Sequence, residues 1–188
     1  MSTRPQVWIL ALLLLVRTDA ARAQKRDSVD IGRQYAAQLA ALGEPDLKRS
    51  RDSREIYRVL WLRSFHESVA VRIVRAGSQY NVITSIGPVW GHPSTAAPRR
   101  DSVSLSAEEW AAIQLRTAMR EFWTTVPHTE GIGLDGAQWI LEGRRDGRYY
   151  AVDWWSPQGE DGAEGGYRRL VLEILSLGTV CVKPDAVY

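Results

Sequence analysis

An Asp-Gly pair between two runs of alternating apolar residues constrains this chain more than any other feature. Asp146-Gly147 stands between AQWILEGRR and RYYAVDWW. Both residue types tolerate positive φ, and such a pair makes the tight turn whose twist matches the strands it joins. The turn therefore sets a register in which Gly143 faces Tyr150, Leu141 faces Val152 and Trp139 faces Trp154, all on one side. On the other side Gln138 meets Trp155, Ile140 meets Asp153, Glu142 meets Ala151 and Arg144 meets Tyr149. Upstream, Gly133-Leu134-Asp135-Gly136 is expected to be the turn into this hairpin, with glycines at positive φ and Asp135 bonding nearby amides. It lacks the alternating oxygen ligands of an EF-hand loop, and no helix follows to supply a phosphate site.

A second hairpin is predicted from SVAVRIVR (Ser68 to Arg75) and YNVITSI (Tyr80 to Ile86). A Gly77-Ser78 loop of type II′ sets Ile73 opposite Val82, Val71 opposite Thr84 and Val69 opposite Ile86. EIYRVLWL (Glu55 to Leu62) reads as a further strand. Residues 87 to 105 carry Pro88, Pro93 and Pro98 and read as a long irregular connection, either functional or mobile.

Three helices are expected. Residues 28 to 42 place Ile31, Tyr35, Leu39 and Leu42 on one face, with Gly43 and Pro45 as stop signals. Pro45 to Glu55 follows as a polar, charged linker. Ser106 with Glu109 forms a capping box, opening a helix whose stripe is Ala111, Leu115, Ala118, Met119 and Phe122. The last helix aligns Tyr167, Leu170, Val171, Ile174 and Leu175, and Gly178 fits its C-terminal cap. The order β-β-β-α-β-β-α predicts an α+β fold: a mainly antiparallel sheet with helices packed on one side, plus an N-terminal helix.

The first residues carry an address. Arg4 precedes the apolar run Val7 to Val16, and Ala21-Arg22-Ala23 offers small residues in the pattern a signal peptidase requires. Ten apolar residues rise about 15 Å as a helix, half of a bilayer core, so a cleaved signal peptide over residues 1 to 23 is expected rather than a spanning anchor. Residues 24 to 54 then form the N-terminal helix and linker, and residues 55 to 188 a single α+β domain. The whole chain has 24 basic and 22 acidic residues. Arg4, Arg17, Arg22 and Asp19 leave with the signal, so 21 of each remain. A neutral domain argues against a nucleic-acid partner, which would call for a basic excess. The expected location is periplasmic or secreted, with no membrane span after processing.

Chemical signals are sparse. Cys181 is the only cysteine, so no intrachain disulfide is possible, and beside Val180 and Val182 it reads as a small buried hydrophobe. His66, His92 and His128 show no short metal-ligand spacing, and no metal or cofactor is expected. Glu142 and Asp153 are two carboxylates on one sheet face, a pairing able to do acid–base work when burial separates their pKa values. Trp155, Tyr149, Gln138 and Arg144 share that face and are the expected binding residues, amphipathic anchors of the kind interfaces favour. A covering helix or the N-terminal segment burying the face is the competing reading.

The stretches YRVLWLRSFHESVAVRIVRAG (Tyr57 to Gly77) and GLDGAQWILEGRRDGRYYAVDWWSP (Gly133 to Pro157), with the helix ending Phe122-Trp123, resemble a group of exported bacterial proteins of unknown function. A WLxSFHxxVAVR block and a GLDGAxWxLEG hairpin mark that group. The resemblance covers most of Tyr57 to Leu177 and implies a bacterial source and a single domain. It carries no catalytic assignment. The expectation is thus an exported, soluble, non-catalytic binding or interaction module of the cell envelope, with an envelope or secreted protein as partner. The alternative is a small hydrolase using His66 with Asp135, Asp153 or Glu142.

Overall fold

Strand β1 (Glu55–Arg63) is apolar on both faces: Tyr57, Val59 and Trp61 point one way, Ile56, Leu60 and Leu62 the other, all buried. Such a strand belongs at the centre of a sheet covered on both sides. The computed structural model describes residues 30–52, 54–92, 94–119, 121–123, 133 and 135–180, and puts β1 there. The sheet is six-stranded and antiparallel, in the order β4-β3-β2-β1-β5-β6. Its other strands are β2 (Glu67–Ala76), β3 (Gln79–Val89), β4 (Arg99–Ser104), β5 (Ala137–Arg145) and β6 (Arg148–Trp155). The α+β reading of the sequence holds.

Both hairpins have the registers that turn chemistry dictates. Trp139 opposes Trp154 and Leu141 opposes Val152, and Asp146 and Gly147 take φ of 52° and 73°. Ile73 opposes Val82 and Val69 opposes Ile86, with Gly77 at φ 65°. One strand lies outside the sequence expectation. β4 pairs with β3 inside the stretch read as irregular, and every one of its residues is exposed. An edge strand with no buried side chain, RRDSVS, has no apolar alternation to announce it.

Helices α3 (Ala107–Met119) and α4 (Gly162–Leu177) pack on the face that carries Tyr57, Val59, Trp61, Val71 and Leu141. In α4, Tyr167, Leu170, Val171, Ile174 and Leu175 are all buried, as the spacing requires. Gly178 is the C-cap in an extended conformation, and its lack of a side chain serves close packing, since a Cβ would lie 2.9 Å from Val71. The capping box of α3 forms, with Ser106 and Glu109 exchanging backbone-to-side-chain bonds of 2.8 and 3.1 Å. Its buried stripe differs from the expected one. Trp110, Ile113 and Thr117 face the core, whereas Ala111 is exposed and Leu115 is 59% exposed. The helix is rolled because Trp110 packs between Tyr57 and Tyr80, at 5.8 and 5.2 Å, and an indole buries more area than a leucine. Phe122 is buried as expected, in a 3₁₀ turn (Glu121–Trp123).

The opposite face is covered by the N-terminal segment. Its expected single helix is two short ones, α1 (Ile31–Gln34) and α2 (Ala36–Ala41), interrupted at Tyr35. Asp30 caps the first through the Arg33 amide at 3.2 Å. Ile31, Tyr35, Leu39 and Leu42 sit on Leu60, Leu62, Ala70, Ile140 and Ala151. The segment then turns at Gly43, whose φ of 63° only glycine adopts cheaply, and the amides of Gly43 and Glu44 close onto the carbonyls of Ala40 and Leu39. The stretch expected as a polar, charged linker is held along the sheet, with Leu47 buried against Ile56 and Val74. Residues 1–29, over which the export signal is expected, lie outside the described residues, as do His128 and Cys181.

Candidate functional site

Turning at Gly43 sends the Glu44 side chain inward, where four polar groups meet it. Glu44 takes Arg72 Nε at 2.8 Å, Ser85 Oγ at 3.1 Å, and guanidinium nitrogens of Arg58 and Arg100 at 3.5 Å each. Arg58, wholly buried, also donates to the Pro45 carbonyl at 2.6 Å and through Nε and Nη2 to Glu142. The other Glu142 oxygen accepts the Tyr149 hydroxyl at 2.9 Å. Burial, Glu142 and that hydrogen bond drive the Tyr149 phenol far above its ordinary pKa. Arg144 donates to the backbone of Asp52 and Leu47 at 2.8 and 3.4 Å. This seam buckles the N-terminal segment to the sheet, and burying the charges is tolerable only because each is paired and hydrogen-bonded.

The seam decides the fate of the residues singled out on that face. Gln138, Glu142 and Asp153 are buried, and Gln138 donates to Asp153 at 3.3 Å. Tyr149, Arg144 and Trp155 are half-buried. The expectation of an open binding surface built from Trp155, Tyr149, Gln138 and Arg144 is therefore corrected: residues 30–52 cover Tyr149 and Arg144, Gln138 is buried, and Trp155 packs on Trp90. The carboxylates Glu142 and Asp153 are shut beneath α1, α2 and the seam. His66 and Asp135 are exposed instead, at the β1–β2 turn and the entry to β5. Those two turns meet where the Ser64 amide and hydroxyl both bond the Gly136 carbonyl at 3.0 Å. The four candidate catalytic groups thus divide between surface and interior.

At that same end of the sheet lies a groove that sequence reasoning did not assemble. β3 carries an extra residue opposite Ser68, a bulge at Gly87-Pro88 between the pairs Glu67–Val89 and Val69–Ile86. Gly87 is needed there, since a Cβ would stand 2.9 Å from Leu42 Cδ2. The bulge leads β3 up beside α2, and the chain turns at Gly91, with the His92 amide on the Val89 carbonyl at 3.0 Å. Between α2 and this tail is a cavity of about 440 Å³ lined by Ala37, Gln38, Ala41, Ser68, Trp90 and His92, among others. Trp90 is braced by Tyr35 and Trp155, with ring centroids 6.4 and 6.2 Å away. Ser68 is 2% exposed, and its hydroxyl has no hydrogen-bond partner among the described residues. Bulges often re-aim side chains at functional sites. The one sequence signal was the long Pro- and Gly-punctuated connection starting at residue 87.

Trp155 also explains the glycines before β5. A Cβ on Gly133 would lie 2.6 Å from its Nε1, and one on Gly136, at φ 155°, 2.7 Å from its Cζ2. Both glycines let an indole approach the backbone. Among the described residues no three His, Cys, Asp or Glu side chains gather to hold a metal ion. Comparison with protein families, characterised proteins and solved structures gave no match.

Proposed function

We propose that this chain is an exported, non-catalytic binding module of the cell envelope whose site is the groove between α2 and the end of β3. One observation carries the reading: the cavity of about 440 Å³ that opens between α2 and the bulged end of β3, with Trp90 among its lining residues. The flanking indole of Trp90, the bulge and a size within the usual range of small-ligand pockets point the same way.

Export rests on the Val7 to Val16 run and the Ala21-Arg22-Ala23 site. No helix among the described residues is long and apolar enough to cross a membrane. Intact mass of exported protein is expected to match a chain beginning at or near Gln24; a mass retaining Met1 to Ala23 would remove the export reading. For the groove, a panel of small uncharged fragments is screened by NMR on protein labelled at the tryptophan indoles. Saturable shifts at the Trp90 indole are expected. Shifts only at other indoles, or none, would overturn the site.

A further inference from the structure

We infer that the end of the sheet opposite the groove carries a separate site for a phosphoryl group, built on Arg75, Glu55 and Arg145. Glu55 opens β1 at the sheet centre and pairs with Arg75 of β2, while Arg145 ends β5 on its other side. These three residues line an open cleft of about 540 Å³, together with Arg54, Gln114 and Asp146. Arg148, exposed and opposite Arg145 in the β5–β6 hairpin, stands at the same edge.

Glu55 does not saturate the two arginines beside it. Its carboxylate accepts the Tyr57 hydroxyl at 3.0 Å and the Gln114 side-chain amide at 2.8 Å. The nearest guanidinium nitrogens of Arg75 and Arg145 stay at 3.7 and 3.9 Å, beyond hydrogen-bond reach. Among the described residues Arg75 donates only from Nε, to the Gly77 carbonyl at 3.2 Å, and Arg145 donates no hydrogen bond. The rings of Tyr80 and Trp123 brace the two guanidiniums at 5.7 and 5.4 Å. Both side chains remain partly exposed, 43% and 35%, so their remaining donors can meet a solute. Arg54 adds little, because both oxygens of Asp52 hold it. Asp146 is 89% exposed and 3.9 Å from Arg145, a contact that water screens. Arg75, Arg145 and Arg148 against Glu55 thus leave a local excess of positive charge. A terminal phosphoryl group suits it, since nearly two negative charges and three oxygens can take donors from two guanidiniums on different strands. A carboxylate brings one charge and two oxygens, a role that Glu55 already fills between the same pair.

The test follows the arginine Nε–Hε NMR signals of the full chain during titration with inorganic phosphate, methyl phosphate and acetate. It is run at about pH 8, where a phosphoryl group is a dianion, and at one ionic strength set with sodium chloride. Saturable shifts at Arg75 and Arg145 with phosphate or its ester are expected, with acetate at least tenfold weaker. Tighter binding of inorganic phosphate identifies the free anion as the ligand, and tighter binding of the ester identifies a carried phosphoryl group. Arg145→Gln is expected to weaken binding at least tenfold. Arg145→Lys keeps the charge but loses the planar fork, and is expected to weaken binding severalfold; it decides the matter where the glutamine variant does not fold. A folded Glu55→Gln variant lacks the competing carboxylate and is expected to bind more tightly. Arg99→Gln, in an exposed pair with Glu67 at the other end of the sheet, serves as the unaffected control. Absence of saturable shifts, or equal shifts from acetate, overturns the phosphoryl assignment. Unchanged affinity in the Arg145 variants, or weaker binding by folded Glu55→Gln, overturns this placement of the site.

Discussion

Arg58 and Glu142 stand directly opposite each other on β1 and β5, Nε to Oε2 at 2.7 Å, with neither side chain more than 1% exposed. Between them they also hold Glu44, the Pro45 carbonyl and the Tyr149 hydroxyl. The pair is thus both a sheet contact and the anchor of the segment laid over the sheet. Removing one partner leaves a buried charge without its counter-ion. Arg58→Ala is expected to cost about 3 to 5 kcal/mol, whereas Arg58→Met with Glu142→Leu recovers much of that loss. Urea midpoints decide it; a single variant within about 0.5 kcal/mol of the parent would show the pair to be unimportant.

Glu44 is the only acid on the N-terminal segment among the described residues that meets Arg58, Arg72 and Arg100 together. Glu44→Ala is expected to loosen residues 30–52 locally while the central strands keep their pairing. Trypsin cleavage after the exposed Lys48 and Arg49 then accelerates, with hydrogen-exchange protection in β1 and β5 retained. Unchanged cleavage would mean that Ile31, Tyr35, Leu39 and Leu42 hold the segment by apolar contact alone.

Trp139 and Trp154 are opposed in the hairpin but unequal in burial. Trp139 is fully buried and packs edge-on to Trp61 at 5.8 Å, whereas Trp154 is half-buried against Tyr167 at 5.1 Å. Trp139→Ala is expected to cost about 3 to 5 kcal/mol through the cavity it opens, and Trp154→Ala clearly less. Equal denaturation midpoints for the two variants would contradict this.

Alkaline pH should unfold the protein through its buried phenols. Burial pushes the Tyr57 hydroxyl up to about 12, and those of Tyr35, Tyr149 and Tyr167 rise further, burial again being the first cause. The unfolded chain ionises its tyrosines near pH 10. Because the folded values are higher, their contribution is complete below about pH 10 and fades as pH rises through the folded values. Stability measured by urea titration is expected to drop steeply above about pH 10, and Tyr149→Phe to flatten that drop. On the acid side, hydrogen bonds from Lys48 and Arg54 hold Asp30 and Asp52 below the usual carboxylate range. Their contribution is lost as pH falls below about 4, and it is small because both groups are near the surface. A flat alkaline limb would refute the burial of the phenols.

Local rules in the sequence were enough to determine the pairings that neighbouring residues control. Asp146-Gly147 and Gly77-Ser78 fix turn geometry, and a period of two then assigns the side chains of β5 and β6, and those of β2 and β3 as far as the Gly87-Pro88 bulge, to a face, as the observed registers show. The Ser106–Glu109 box and the apolar spacing of α4 are equally local. Tertiary structure alone decided the rest. Strand β4 exists because β3 offers it an edge, and its exposed residues gain nothing from burial that a pattern would record. The roll of α3 follows from where Tyr57 and Tyr80 receive Trp110. Glu142 and Asp153 share a face by parity, which is legible, but whether that face meets water depended on Glu44, nearly a hundred residues before Glu142, finding Arg58 and Arg72. The groove draws on α2, a bulge in β3 and Ser68 of β2, three segments with no common sequence period. Periodicity reports which side a residue faces; only the packed chain determines what stands there to meet it.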